Sequence, residues 1–307
     1  MGIFFTLKID SECTVEPYTQ NLMSTNSDNM EQDTGKFRTN TKDQYYTKPS
    51  MAKKCVDKIR EILPSADAYQ WIEPSAGSGV FLNSIPTIFD RLGIDLDPKS
   101  PGIQKGDFLE WSPISQKKRI FFGNPPFGRQ GCLAKSFIKH AAKYADIIAF
   151  ILPRSFVKPS MSRAFPLKFH CIHSEELGKN AFQVNDAEYD VPCVFQIWEK
   201  RPNDRLIPDP IEEVGFEYVK HGEPFHIAFK RVGGLAGKCY PSSPTAAADY
   251  NHQYHYFLKL EDIYTPHVKN IIDAVNRHTF PSNTVGMRSL SKSEANEVLN
   301  RALASCF

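Results

Sequence analysis

The stretch Ala68-Tyr69-Gln70-Trp71-Ile72-Glu73-Pro74-Ser75-Ala76-Gly77-Ser78-Gly79 decides the fold of this chain. Its opening residues, Ala68–Ile72, predict a short buried strand. The glycines after it predict a tight corner where the backbone can approach a ligand at the carboxyl end of a sheet. A dinucleotide-binding corner would place a third glycine three residues past Gly79, but Leu82 stands there, and the support for a pyrophosphate at a helix N-terminus is missing. A ligand without phosphates needs no such support. The same glycines also suit a plain strand-to-helix turn.

Downstream, Val80–Ile88 predicts a helix or helix-like turn, and Arg91–Leu96 a second strand. Lys118–Phe122 predicts a third strand, Cys132–Tyr144 a helix, and Ile147–Leu152 a fully apolar fourth strand. Short apolar strands alternating with helices indicate an α/β domain with a mostly parallel, buried sheet. Phe169–Leu177 and Cys193–Glu199 predict a strand pair closing its edge. Upstream, Met51, Cys55, Val56, Ile59, Ile62 and Leu63 recur at helical spacing between Pro49 and Pro64.

Residues 9–40 are polar and acidic with few large apolar side chains, so order is expected from Asp43. Pro, charge and turn residues at Lys200–Asp204 and Pro208–Pro210 mark a boundary. The expected parts are a disordered acidic tail (1–42), an α/β domain (43–200) and a small β-rich appendage (201–307). In the appendage, Phe225–Val232 and Tyr254–Leu260 read as strands. Ser291-Lys292-Ser293-Glu294 forms a capping-box pattern opening a terminal helix through Leu303.

Two further positions suit ligand binding. Asp95 ends the second strand, where a carboxylate can accept from a ribose diol. A cap for the following turn is better assigned to Asp97-Pro98. Asp107 of Gly106-Asp107-Phe108 could accept from an adenine amine, with Phe108 covering a ring. The decisive motif is Asn124-Pro125-Pro126-Phe127 after the third strand. At ordinary residue frequencies this tetrapeptide arises by chance in roughly one chain in a thousand of this length. Its prolines fix φ and supply no N–H, so the Asn124 and Pro125 carbonyls can face one ligand group. Acceptors without donors make a receptor for an NH₂ group.

The order Tyr45-Tyr46-Thr47-Lys48-Pro49, Glu73-Pro74-Ser75-Ala76-Gly77-Ser78-Gly79, Asp95, Asp107, Asn124-Pro125-Pro126-Phe127 resembles the S-adenosylmethionine-dependent N6-adenine methyltransferases. It is similar to the arrangement with cofactor motifs first and a target-recognition region C-terminal. The resemblance runs from about Asp43 to Lys200. It implies a Rossmann-like methyltransferase sheet, S-adenosyl-L-methionine as cofactor and adenine in nucleic acid as substrate, with DNA favoured. By it, Tyr46, Thr47, Glu73, Ser75, Gly77, Gly79, Asp95, Asp107, Phe108 and Asn124 would line the cofactor pocket. Asn124, Pro125, Pro126 and Phe127 would hold the target amine, with Phe127 stacking on an extruded base. RNA, a protein glutamine amide, and a catalytically silent nucleic-acid-binding subunit are the alternatives.

The chain has 37 Lys plus Arg against 35 Asp plus Glu, but near-neutrality hides opposed blocks. Residues 61–116 carry three basic and eight acidic side chains, which suits a cationic cofactor. Residues 117–168 carry eleven basic side chains and one acid. From that block Lys117, Lys118, Arg129, Arg154, Lys158 and Arg163 are candidate phosphate contacts. No run reaches the ~18 apolar residues of a membrane span. Seven scattered cysteines without a CxxC pair suit a reducing, intracellular compartment. Gly2 and Thr6 formally fit a loose myristoylation pattern. The dispersed Cys239, His252 and His255 suggest no zinc site.

Overall fold

The computed structural model describes residues 46–178, 181–184, 187–189, 191–242, 250–281 and 287–307. The expected acidic tail lies outside the described residues. In chain order, the first unit contains β1 (Tyr46–Thr47), α1 (Pro49–Ile62), β2 (Gln70–Glu73), β3 (Arg91–Asp95), β4 (Gln104–Lys105), β5 (Arg119–Gly123) and α2 (Cys132–Ala141). It continues with β6 (Ile147–Pro153), α3 (Pro159–Ser162), β7 (Phe169–Glu176), β8 (Phe182–Val184), β9 (Ala187–Tyr189) and β10 (Cys193–Lys200).

The large sheet has the order β4-β3-β2-β5-β6-β10-β7. Strands β2 to β6 are parallel, and β10 runs antiparallel between β6 and β7. This is the mostly parallel α/β sheet expected from the alternation, Rossmann-like as the resemblance implies, with the expected strand pair at its edge, here antiparallel. All seven residues of β6 are buried, as a strand covered on both faces requires. Period-two alternation sends Ile120 and Phe122 of β5 toward Ala52, Val56 and Ile59 of α1. Phe121 faces Ala134, Ile138 and Ala141 of α2 on the other side.

Of the helix or helix-like turn expected over Val80–Ile88, the structure forms the turn, one 3₁₀ stretch at Leu82–Ser84. Helix propagation needs those carbonyls, and the Arg91 guanidinium takes the Leu82 and Ile85 oxygens at 2.6 and 3.1 Å. Pro86 then removes a donor. Close packing keeps the turn flat against β3, because a Cβ on Gly93 would sit 2.3 Å from Leu82 Cδ1.

The second unit pairs β11 (Phe216–Val219), β12 (Ile227–Lys230), β13 (Cys239–Pro241) and β14 (His255–Leu260) in the antiparallel order β11-β14-β12-β13. Helices α4 (Val268–Arg277) and α5 (Lys292–Ala304) share its core through Ile271, Val275, Val298 and Leu299. The expected β-rich appendage is this antiparallel sheet with its expected terminal helix α5, and α4 is the element added to that reading. The capping box is present: Ser291 Oγ accepts from Glu294 N, and Glu294 Oε2 accepts from Ser291 N.

Two ties cross the boundary segment. Arg205 donates to the carbonyls of Ser162, Phe165, Pro166 and Phe169 and lies 5.3 Å from the Trp198 ring. Lys158, from the segment after β6, donates to Ser289 O at 2.7 Å and pairs with Glu294 at 3.1 Å.

Candidate active site

The carboxyl ends of β2, β3 and β5 open into one cavity of about 410 Å³. Its walls bring together Tyr46, Thr47, Glu73, Ser75, Gly77, Asp95, Asp107, Phe108 and the whole of Asn124–Phe127. Gly79 has the positive φ of +78° that its turn needs but stands behind the wall.

Backbone geometry builds the cavity. Gly77 N–H donates to Asp95 Oδ2 at 2.7 Å, and Asp97 N–H donates to Asp95 Oδ1 at 2.8 Å. Asp95 is thus itself the turn cap that the sequence assigned to Asp97. A carboxylate offers about four lone-pair sites, so these two bonds leave room for two hydroxyl donors. Asp97 instead pairs with Lys99. Asp107 Oδ1 accepts from Leu109 N at 2.8 Å, again capping its own loop.

Glu73 is only 2% exposed and accepts from Leu82 N at 3.1 Å. Burial pushes its carboxyl well above the usual carboxylate range; the Leu82 N–H opposes this and the Asp95 charge adds to it. Gly123 makes the packing possible: at φ +123°, a Cβ there would lie 3.2 Å from Glu73 Cγ. Thr47 is brought in by the β1–β8 pair. Its Oγ1 is buried and has no hydrogen-bond partner among the described residues, a position that calls for a polar ligand. Tyr46 stands over the corner, its Cε1 3.8 Å from where a Gly77 Cβ would be.

The Asn124–Phe127 wall departs from expectation in two ways. Ser75 Oγ donates to the Asn124 carbonyl at 3.1 Å. That leaves the Pro125 carbonyl as the backbone acceptor without a hydrogen bond among the described residues. Phe127 is only 5% exposed and belongs to the core on the α1 side, so its ring is wall before it is a stacking platform. Phe108 likewise lies under the cavity, packed against Phe121, Phe137 and His140 at 5.7, 5.2 and 4.8 Å.

Several wall residues were not read from the sequence. Leu133 and Phe137 line the cavity from α2. Their four-residue spacing was a visible helix-face signal, but nothing local says that this face meets the cavity. Leu96, Lys99 and Leu109 come from loops with no motif.

No family model matches the chain, and no curated protein matches it. Solved structures do match. A candidate RNA methyltransferase of Pyrococcus horikoshii aligns at 16% identity over 52% of this chain and 87% of its own, with a TM-score of 0.41. A candidate class I S-adenosylmethionine-dependent methyltransferase of Listeria monocytogenes aligns at 13% over 53% and 63%, also with a TM-score of 0.41. The magnesium protoporphyrin IX methyltransferase of Synechocystis, solved with bound S-adenosylmethionine, aligns at 10% over 49% and 80%, with a TM-score of 0.33. Each alignment spans about half of this chain.

The cationic block divides by strand direction. Lys117 and Lys118 precede β5, whereas Asn124 follows it, so about 16 Å of strand separates them. They therefore stand apart from the cavity; Lys117 pairs with Asp90 at 2.6 Å, and Lys118 lies 5.8 Å from the Tyr69 ring. Lys158 is turned inward at the junction with the second unit, where Ser289 O and Glu294 already hold its ammonium. Arg154 pairs with Glu176 at 3.0 Å. Arg129 and Arg163 are exposed, come from loops at the carboxyl ends of β5 and β6, and make no ion pair among the described residues. Among the described residues there is no cluster of His, Cys, Asp and Glu able to hold a metal, and no helix long and apolar enough to cross a membrane.

Proposed function

We propose that this chain transfers a methyl group from S-adenosyl-L-methionine to the N6 amine of adenine in nucleic acid, with DNA the first substrate to test. One observation carries the reading: the acidic corner and the Asn124-Pro125-Pro126-Phe127 wall bound a single cavity.

The cofactor fits what the cavity offers. The group supplies an electrophilic methyl on a cationic sulfur when bound. Asp95 retains lone pairs for a ribose diol, Asp107 offers a second acceptor, and the Thr47 hydroxyl has no other partner among the described residues. Glu73 sits beneath them as a carboxyl that a nearby cation would draw toward its ionised form.

The N6 lone pair of adenine is delocalised into the ring and is a poor nucleophile. Acceptance of its two protons by the Asn124 side chain and the Pro125 carbonyl favours a pyramidal nitrogen and stabilises the positive charge that develops on it. This is electrostatic preorganisation combined with positioning. No strong base is needed, because the nitrogen becomes acidic as it is alkylated. Ser75 holds the Asn124 backbone, and buried Phe127 fixes the loop's far end.

The direct test incubates the purified chain with radiolabelled cofactor and separate DNA, RNA and protein pools, followed by digestion and identification of the product. Label in N6-methyldeoxyadenosine is the expected result. Label in N6-methyladenosine of RNA moves the substrate, and label on glutamine, or none, overturns the reading.

A further inference from the structure

We propose that the second unit holds its own nucleotide site, a cation-rimmed aromatic concavity on β11 and β14 that takes one unstacked base of the substrate strand together with its phosphate. The proposal rests on the nucleic-acid reading above.

The concavity has a volume of about 250 Å³ and is lined by Tyr218, Lys220, His221, His252, Tyr256 and Lys292, among others. No carboxylate lines it. The Lys292 ammonium lies 4.1 Å from the Tyr218 ring, and the Arg231 guanidinium lies 5.0 Å from the Tyr256 ring. Arg231 and Arg288 stand outside that lining, on paired segments: Gly233 N–H donates to Arg288 O, and Leu290 N–H donates to Arg231 O. The Nε atoms of both arginines are buried without a hydrogen-bond partner among the described residues.

None of Lys220, Arg231, Arg288 and Lys292 makes an ion pair among the described residues. Glu294, the acid on the adjoining helix turn, is already engaged by Lys158 and by its own cap. Arg231 and Arg288 are half-buried, where a cation without counter-charge is costly, whereas Lys220 and Lys292 are exposed at the rim, where they can meet an incoming phosphate.

Anion plus aromatic ring is the chemistry of a nucleotide. Tyrosine faces and arginine planes stack bases without regard to sequence, and lysines track the phosphates. The volume falls below the ~300 Å³ lower end for sites that enclose a drug-sized ligand, so it suits one base. Continuity with the catalytic unit favours a strand over a free nucleotide. Lys292 opens α5, and Glu294 in the same turn receives Lys158 from the segment after β6. That segment also touches the catalytic loop, since a Gly131 Cβ would sit 3.3 Å from Phe156 and 3.4 Å from Met161.

The test uses the full chain without cofactor and fluorescence anisotropy with a labelled 20-nucleotide single strand. Lys220→Ala combined with Lys292→Ala should weaken binding about tenfold and lower the salt slope by roughly two contacts. Binding of cofactor, measured separately, should stay within twofold. Both lysines are exposed, and loss of Lys292 also removes a cation from a helix N-terminus, so the variant should fold. Lys220→Arg combined with Lys292→Arg, which keeps both charges, should hold affinity near that of the unaltered chain. Wild-type binding of the 20-mer by the double variant overturns the proposal, as does an equal loss on a blunt duplex, which presents no unstacked base. Since binding is read without turnover, loss of affinity in a chain that methylates nothing overturns only the catalytic reading. Methylation with unchanged binding and KM overturns only this site.

Discussion

The cavity at the ends of β2, β3 and β5 is walled by four carboxylates and one lysine, whereas the concavity on β11 and β14 has two lysines, three histidines and no carboxylate. Both are lined with aromatic rings, and the difference between them is the sign of the charge. An acidic wall selects a cationic small molecule and repels a phosphate backbone. A basic rim does the reverse. A chain with nearly balanced charge can therefore offer two surfaces of opposite preference, provided the charges are sorted by strand end and by unit.

The largest effect should come from the Asn124–Phe127 wall. Asn124→Ala should lower methyl transfer by about 10²–10³-fold, with cofactor affinity held within a few-fold in a calorimetric titration. Retained turnover would remove the acceptor role of this wall. Next is Asp95→Ala, which frees the Gly77 and Asp97 N–H groups and removes the diol acceptor. Hydrogen bonds to a charged group contribute about 1.5–3 kcal/mol each, so cofactor binding should fall on the order of a hundredfold while oligonucleotide binding stays level. If both ligands weaken together, the two surfaces are not separate.

Salt should split them too. From 50 to 200 mM, oligonucleotide affinity should drop about tenfold or more while cofactor affinity barely moves, because counterion release accompanies only phosphate contacts. The smallest effect concerns Glu73. Its folded carboxyl titrates above the unfolded value of about 4.3, so the folded state binds the extra proton. The stability associated with the neutral acid is complete below the unfolded value and is lost as pH rises toward the folded one. Urea titrations should therefore show the ligand-free protein losing stability over that interval, with Glu73→Gln flattening the loss. A cationic cofactor should bind more tightly as pH rises, and that slope should vanish in Glu73→Gln. An unchanged slope would separate Glu73 from the cofactor.

The strands and corners were legible because each depends on local chemistry: apolar runs for β2, β5 and β6, glycines at Gly77 and Gly79, prolines at Pro125 and Pro126. The sequence left the outcome open, or misplaced it, where it depends on a distant partner. Phe81, Leu82 and Ile85 have the spacing of a helix face, but Arg91 from the next strand captures the carbonyls that a helix would use. Lys118 is six residues from Asn124 in sequence and a full strand away in space. Lys158 looked like one more surface cation until residues 131 and 136 positions later supplied its acceptors.

Glu294 closes the first turn of α5 and also accepts the Lys158 ammonium from the first unit. A carboxylate with both duties ties the birth of one helix to the docking of another unit. Heating should then melt the two units in a single calorimetric transition. Glu294→Gln, which can keep the cap but not the charge, should begin to pull that transition into two.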